Sequence, residues 1–222
     1  MFDLAHIMEL MPDIMKAFGE TLYMIGISLS IALIIGLPLG VLLFTTDKGL
    51  FLENRAINSV VGFFVNIIRS IPFIILLVAL IPLTKLIVGN TIGPAAASVS
   101  LSVAAIPFFA RIVETSMREI DKGVIEAAIS TGASPWMIIW NVLLPESKSS
   151  IIQGLTLTLI NLVAYSAMAG FVGGGGIGDL AIRFGYYRYD DSIMLVTVAI
   201  LIVLVQLIQF GGDRFSKMID KR

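Results

Sequence analysis

The chain has 222 residues, of which 57% are hydrophobic and 14% are charged. Soluble domains contain about 45–50% apolar and about 25% charged residues, so this composition excludes an ordinary soluble domain. The net charge of −1 gives no reason to expect nucleic-acid binding, and the absence of cysteine excludes disulfides and thiolate metal sites.

Uncharged residues are concentrated in four blocks. The blocks cover 21–46, 86–110, 149–178 and 192–212, and they are 26, 25, 30 and 21 residues long. Because a membrane-spanning helix needs roughly 20 apolar residues, each block predicts one span. A β-barrel would show alternating segments of about ten residues instead. The residues before the first block lack the basic region of a cleaved signal peptide, so we expect that span to be retained.

Two shorter uncharged runs, 56–68 and 70–84, flank Arg69. Neither run is long enough to cross alone, so we predict one span over both. Arg69 then either snorkels near the cytoplasmic edge or faces the bundle interior, where a charge marks a functional candidate. The chain is therefore predicted to be an all-α polytopic membrane protein with one transmembrane domain over 1–222. The five predicted spans are about 18–46, 56–84, 86–112, 147–172 and 192–213.

The distribution of lysine and arginine predicts the orientation. Five spans place the two termini on opposite sides of the membrane. If the C-terminus is cytoplasmic, ten basic residues face the cytoplasm and four face outside, with Arg69 unassigned. The positive-inside bias therefore predicts an external N-terminus, a cytoplasmic C-terminus and a cytoplasmic loop over about 113–146.

That loop contains its own helix signals. Asp121 is a candidate N-cap, and Gly132 suits a left-handed C-terminal cap after the helix formers of 126–131. Ser134 followed by Pro135 then predicts a second helix start. The second helix carries an apolar stripe at helical spacing, formed by Trp136, Ile139, Trp140 and Leu143.

The second helix is expected to end at Leu144-Pro145, because a residue before proline avoids the α region. Two short helices separated by a glycine turn favour an element that docks on something. A generic membrane protein would pack such a loop against its own bundle.

The loop resembles the EAA motif of permease subunits of bacterial ATP-binding-cassette importers. The pattern is Glu-Ala-Ala, a glycine six residues after the glutamate, then a hydrophobic pair and Leu-Pro; it is matched by Glu126, Ala127, Ala128, Gly132, Val142, Leu144 and Pro145. In that family the loop forms a coupling helix seated in a cleft of the ATPase subunit. The resemblance therefore implies ATPase-coupling roles for Glu126, Ala127, Ala128, Gly132, Ala133 and Pro145.

Longer strings resemble the methionine-importer permeases within that family. They are RSIPFIILLVALIP (69–82), AAIPFFAR (104–111), TLTLINLVAYSAMAG (156–170) and GGGGIGDLAIRFGYYRY (173–189). The resemblance implies a type I importer permease fold in the bacterial inner membrane and a homodimer. It also implies two ATP-binding subunits and an external lipoprotein that delivers methionine. A permease of the same superfamily for another small amino acid or solute is the alternative.

The residues of the chain indicate which energy sources could drive transport. It contains no phosphate-binding G-x-x-x-x-G-K-[ST] loop, so ATP hydrolysis is expected in a separate subunit. An ion-coupled secondary transporter usually needs carboxylates within its spans, and the uncharged blocks have none, although sodium sites built from carbonyls and hydroxyls stay open. The only histidine, His6, precedes the first span, which argues against an intramembrane enzyme. We therefore expect no catalytic residue, no metal site and no cofactor.

Two glycine patterns have more than one interpretation. Gly173, Gly175 and Gly178 formally match a dinucleotide-binding motif, but they follow an apolar run instead of a strand. We interpret Gly173, Gly174, Gly175 and Gly176 as a hinge or close-packed turn at the outer mouth. Gly36 and Gly40 fit close helix packing, either within one subunit or between two.

The last candidates concern substrate and binding-protein contacts. Tyr165 and Met168 are candidates to line the substrate path near the outer half of the fourth span, although their spacing also suits simple packing. The segment 183–191 contains three tyrosines and two arginines and is predicted to be external. Such residues suit docking to a binding protein as well as anchoring at the lipid boundary.

Overall fold

A computed structural model describes residues 4–219, and within that range the chain is helical and contains no strand. Lys221 and Arg222, counted above among the C-terminal basic residues, lie outside the described residues. The α-helices are α1 (Leu4–Glu9), α2 (Met11–Ile31), α3 (Leu37–Thr45), α4 (Arg55–Ser70), α5 (Phe73–Ala79), α6 (Ile81–Val88), α7 (Pro94–Arg118), α8 (Lys122–Ser130), α9 (Pro135–Ile138), α10 (Leu144–Ala169), α11 (Gly176–Leu180) and α12 (Asp191–Ile219).

Four continuous helical segments of the described chain are long and apolar enough to cross a membrane. They are Met11–Thr45, Pro94–Arg118, Pro135–Val172 and Asp191–Ile219. Each of these helical segments continues past the predicted span at one or both ends and includes charged residues there. Charged residues can continue a helix beyond the apolar run that crosses the membrane. The third predicted span starts later than expected, at Pro94, since Gly89 (φ +80°) ends α6 and Gly93 (φ +96°) precedes α7.

The second predicted span, 56–84, is not one straight helix. Helices α4 and α5 meet at 105°, and by length and composition this bent pair can form the fifth crossing. The bend lies at Ile71, whose backbone is extended (φ −85°, ψ 124°), directly before Pro72. A residue before proline avoids the α conformation, so Pro72 accounts for the position of the break.

Three prolines, Pro38, Pro107 and Pro145, lie inside continuous helical segments of the described chain, and two of them follow a π-helical segment. A π-helical segment, Ala32–Gly36, precedes Pro38, and a second, Ile139–Leu143, precedes Pro145. Proline removes an N–H and crowds the carbonyl one turn earlier, and the wider π turn accommodates both effects. The predicted helix end at Leu144-Pro145 is therefore wrong: α9 and α10 form one segment from Pro135 to Val172.

Helix α7 lies at the centre of the bundle and packs against α2, α3, α4 and α10. Its buried face is rich in small residues, among them Ala96, Ala97, Ser98, Ser100, Ala105 and Ala110. In a lipid environment the hydrophobic effect does not drive helices together, so their association depends on close packing. Small residues allow the two helix backbones to approach closely. Gly36 and Gly40 lie against this helix, and a side chain at Gly40 would overlap Val113. Their close packing is therefore within the subunit.

Candidate coupling site and glycine turn

The helix α8 has defined ends. The Gly123 N–H donates to Asp121 Oδ1 (2.7 Å), which confirms the predicted N-cap. Gly132 has φ +79°, and the N–H of Ala133 donates to the carbonyl of Ala128 (3.2 Å). This is the hydrogen-bonded left-handed C-terminal cap that the sequence predicts.

One face of α8 lies on the bundle and the other is open in the single chain. Ile125 is buried (4% exposed), and Ala128 packs against the same core. Glu126 and Ala127 are exposed, as is Gly132 in the turn. Ala133 is half-buried, and Pro145 lies further along on α10 and is exposed. The structure therefore groups the Glu-Ala-Ala residues with the glycine turn and separates them from Pro145 by about three helical turns.

The second helix of the loop begins where predicted. Ser134 Oγ accepts the N–H of Met137 (3.4 Å), with Pro135 at the first helical position. The predicted stripe is only partly correct, because Leu143 is buried, whereas Trp136 and Trp140 are 68% and 52% exposed. Their rings contact each other edge to face at 5.4 Å. The helix thus presents an exposed aromatic pair beside α8.

An ionic network that the sequence analysis missed supports the start of the loop. Glu114 is buried and accepts from Arg111 (2.6 Å) and Arg118 (2.8 Å), and Arg118 also contacts Asp47 (2.7 Å). Burial raises the pKa of Asp47, but the Lys48 N–H and Arg118 outweigh it, so this pKa lies below its ordinary value. The i, i+3 and i, i+4 spacing of Arg111, Glu114 and Arg118 was the available signal. The network fixes the end of α7 directly before α8.

The glycines 173–176 form a close-packed turn at the other end of α10. Gly173, Gly175 and Gly176 have φ values of +77°, +77° and +81°. The Gly176 N–H donates to Glu20 Oε2 (2.9 Å), and the Ile177 N–H donates to Thr21 Oγ1 (2.9 Å). Helix α2 thus supplies the cap of α11 from 156 residues away. A helical run and not a strand precedes these glycines, so the context of a dinucleotide motif is missing.

The two substrate-path candidates lie on α10 near this turn. Tyr165 is half-buried and stacks on Phe73, with ring centroids 4.4 Å apart and planes 9° apart. Met168 is 43% exposed. Phe73 opens α5, directly after the bend at Pro72.

The tyrosine-rich segment lies on the surface of the described chain. Tyr186, Tyr187 and Tyr189 are all at least 60% exposed. His6 and Asp190 approach to 2.8 Å and tie α1 to this segment. Arg188 lies over the ring of Phe184, 4.5 Å from its centroid.

Solved structures share this architecture. The chain superposes on a chain of the inward-facing MetNI methionine ABC transporter with a TM-score of 0.94 and 45% identity, covering 96% of this chain and 99% of that one. It also matches an amino acid ABC transporter with histidines at a TM-score of 0.81 and 20% identity, a similarity that shows the fold alone. The helix bundle has the type I importer permease fold.

Sequence relatives identify the family. Residues 32–222 match the model of the binding-protein-dependent transport system inner membrane component. The chain is 53% identical to the Probable D-methionine transport system permease protein MetI of Vibrio cholerae over 94% of this chain and 93% of that protein. It is 46% identical to the Methionine import system permease protein MetP of Bacillus subtilis, over 95% of each. The chain belongs to the family of binding-protein-dependent transport system inner membrane components.

Proposed function

We propose that this chain is the membrane permease subunit of an ATP-driven importer of methionine. Two copies form the pathway, two ATP-binding subunits dock at the cytoplasmic loop, and an external substrate-binding protein delivers the amino acid. The observation that carries the proposal is the 45% identity and 0.94 TM-score, over nearly the whole of both chains, with a chain of a methionine ABC transporter.

The chain itself performs no ATP hydrolysis in this proposal. It lacks a phosphate-binding loop with the G-x-x-x-x-G-K-[ST] pattern, so the energy enters through a bound ATPase subunit. The EAA residues on the open face of α8 supply the docking surface. The half-buried Ala133 and the exposed Pro145 flank that surface on the same cytoplasmic loop.

The geometry supports a lever mechanism. Helix α8 is short and capped at both ends, so a force on Glu126 and Ala127 moves it as a unit. The segment Pro135–Val172 has 38 residues and is continuous. At 1.5 Å per residue it is about 57 Å long, nearly twice the hydrocarbon thickness of about 30 Å. It therefore extends from the coupling loop to the glycine turn, and closure of the ATPase subunits would tilt it and alternate access.

The proposed orientation places the coupling loop and the C-terminus in the cytoplasm and the N-terminus outside. The excess of basic residues on the coupling-loop side supports it. Gly173–Gly176 and the tyrosine segment then form the outer mouth, where the binding protein docks. Tyr165 and Met168 lie one to three helical turns before that mouth and are proposed to line the path.

Reconstituted transport tests the proposal. The chain is incorporated into proteoliposomes with its ATP-binding subunit, and uptake of labelled L- and D-methionine is measured with binding protein and ATP. We expect uptake that stops when ATP, the ATP-binding subunit or the binding protein is omitted. Uptake of another small amino acid in preference to both methionine enantiomers would contradict the proposed substrate, and uptake driven by an ion gradient without ATP would contradict the class.

A further inference from the structure

One side of helix α4 carries polar side chains; Asn58 is half-buried, and Asn66 and Arg69 are exposed in the single chain. The Asn58 side-chain amide donates to the carbonyl of Leu43 (2.7 Å), and Asn66 Oδ1 accepts from Arg111 (2.7 Å). Arg69 follows Asn66 by three residues and lies on the same side of the helix. The outward face is apolar and exposed in the single chain, with Ile57, Val60, Phe63, Phe64 and Ile67. In a membrane protein, polar and charged side chains of a spanning domain mark a ligand path or a water-filled cavity.

Arg69 borders a cleft of about 360 Å³ between α4, α7 and α10. The volume is in the range of small-ligand sites, roughly 300–1,000 Å³. One wall is apolar and is formed by Phe108, Ile112 and Leu157. Gln153 and Glu119 line the side nearer the coupling loop. The cleft thus combines a cationic end with an apolar wall.

The two arginines of the cleft differ in their bonding. Arg111 is committed to the buried Glu114 (2.6 Å) and to Asn66 (2.7 Å). Arg69 makes no hydrogen bond or ion pair with any residue in the range 4–219. A guanidinium without a counter-charge in a membrane-spanning domain calls for an anion, and its planar fork matches a carboxylate.

We propose that this cleft is a transient site for the transported amino acid, in which Arg69 binds its α-carboxylate. The aliphatic and sulfur part of the side chain then contacts Phe108, Ile112 and Leu157. This inference rests on the proposed function and adds a specific site to it. The break after Arg69 gives the site a mechanical role, since tilting α4 against α5 moves the guanidinium relative to the apolar wall.

Protection from labelling tests the site in the complete complex. The chain contains no cysteine, so a Gln153→Cys variant carries one label site in this chain, inside the cleft. Saturating methionine should slow its reaction with a thiol reagent at least about threefold. Methionine amide, which lacks the carboxylate, should protect far less. A Lys48→Cys variant, in an exposed loop outside the cleft, should label at the same rate with and without methionine.

Charge variants assign the effect to Arg69. In the Gln153→Cys background, Arg69→Gln should raise the methionine concentration for half-protection about tenfold, because the carboxylate loses a charged hydrogen bond. Arg69→Lys should restore part of it. Arg55→Gln, at the exposed start of the same helix, should change nothing. An unchanged protection curve in Arg69→Gln would overturn the proposal, as would equal protection by methionine and its amide.

Failure of this inference is separable from failure of the proposed function. Methionine uptake by the wild-type complex decides the function. Normal uptake with no protection at position 153 contradicts the cleft alone. Labelling that responds to lipid composition and not to methionine would assign Arg69 to a lipid phosphate and overturn the site.

Discussion

The two ends of the helical segment Pro135–Val172 are built differently. At one end, α8 buries Ile125 and leaves Glu126 and Ala127 open in the single chain. At the other end, the glycine turn is closed by hydrogen bonds from backbone N–H groups to Glu20 and Thr21 of α2. One end leaves a helix face exposed in the described chain, and the other end has its turn capped by side chains of α2. The contrast supports the proposal that motion enters at α8 and reaches a turn that is hydrogen-bonded to α2.

The largest expected effect is at the open end. Glu126→Lys reverses the charge on the exposed face of α8. Within residues 4–219, the Glu126 side chain makes no hydrogen bond or ion pair that the substitution would break. We expect the variant to insert normally and uptake to fall at least about tenfold, while ATP hydrolysis is no longer linked to transport. Glu9→Lys, at an exposed position on α1, is the matched control and should retain uptake. Normal transport by Glu126→Lys would refute the lever role.

Backbone strain at the closed end gives the next effect. Gly176→Ala places a methyl group at φ +81° and about 2.7 Å from Thr21 Oγ1. We expect a loss of about 2 kcal/mol in stability, read as a lower melting temperature in detergent. Gly19→Ala, at a helical position with open space around it, should not lower the melting temperature, because alanine favours a helix. Equal melting temperatures for both variants would mean that the turn is a loose hinge.

Removing the Glu20 cap of α11 should lower the free energy of unfolding by less than Gly176→Ala does. Glu20→Ala leaves the buried Gly176 N–H without its acceptor. The expected loss is about 1–2 kcal/mol, with faster hydrogen exchange confined to α11 and the turn. If exchange rises equally at α8, the two ends are not independent, and the comparison fails.

The smallest expected effect concerns the ionic network before α8. The pKa of Asp47 is lowered in the folded state, so its stabilisation is present above the unfolded pKa of about 3.8 and is lost as pH falls through the folded value. Because Arg118 is half-exposed, Asp47→Asn should cost only about 0.5 kcal/mol at pH 7. Melting curves of both proteins should converge once the pH falls below the folded pKa of Asp47. A difference that persists there would indicate a packing effect and not a charge effect.

Local signals carried most of what could be predicted. Asp121, Gly132 and Ser134 were predicted as caps because capping depends on neighbours within three or four residues. The predicted helix end at Pro145 was wrong because a π-helical turn before this proline accommodates its missing N–H. The presence of a proline in the sequence does not show whether such a turn precedes it. The position of the bend at Ile71 could be predicted from Pro72, which follows it in the sequence. The angle between α4 and α5 depends on packing and could not be predicted.

Long-range pairings could not be predicted from sequence. The capping of Gly176 by Glu20 joins residues 156 apart, and no periodicity links them. Arg69 was left with two interpretations because its environment consists of side chains from α7 and α10. The exposure of Trp136 and Trp140 was also hidden, since an apolar stripe looks the same whether it faces its own bundle or a partner.

Site-specific photo-crosslinking decides whether the open face of α8 receives the ATPase subunit. A crosslinker is placed at Ala127, on the open face, and for comparison at Tyr187, in the exposed segment at the opposite end. We expect an ATP-binding-subunit adduct from position 127 and none from position 187. Adducts from both positions, or from 187 alone, would contradict it.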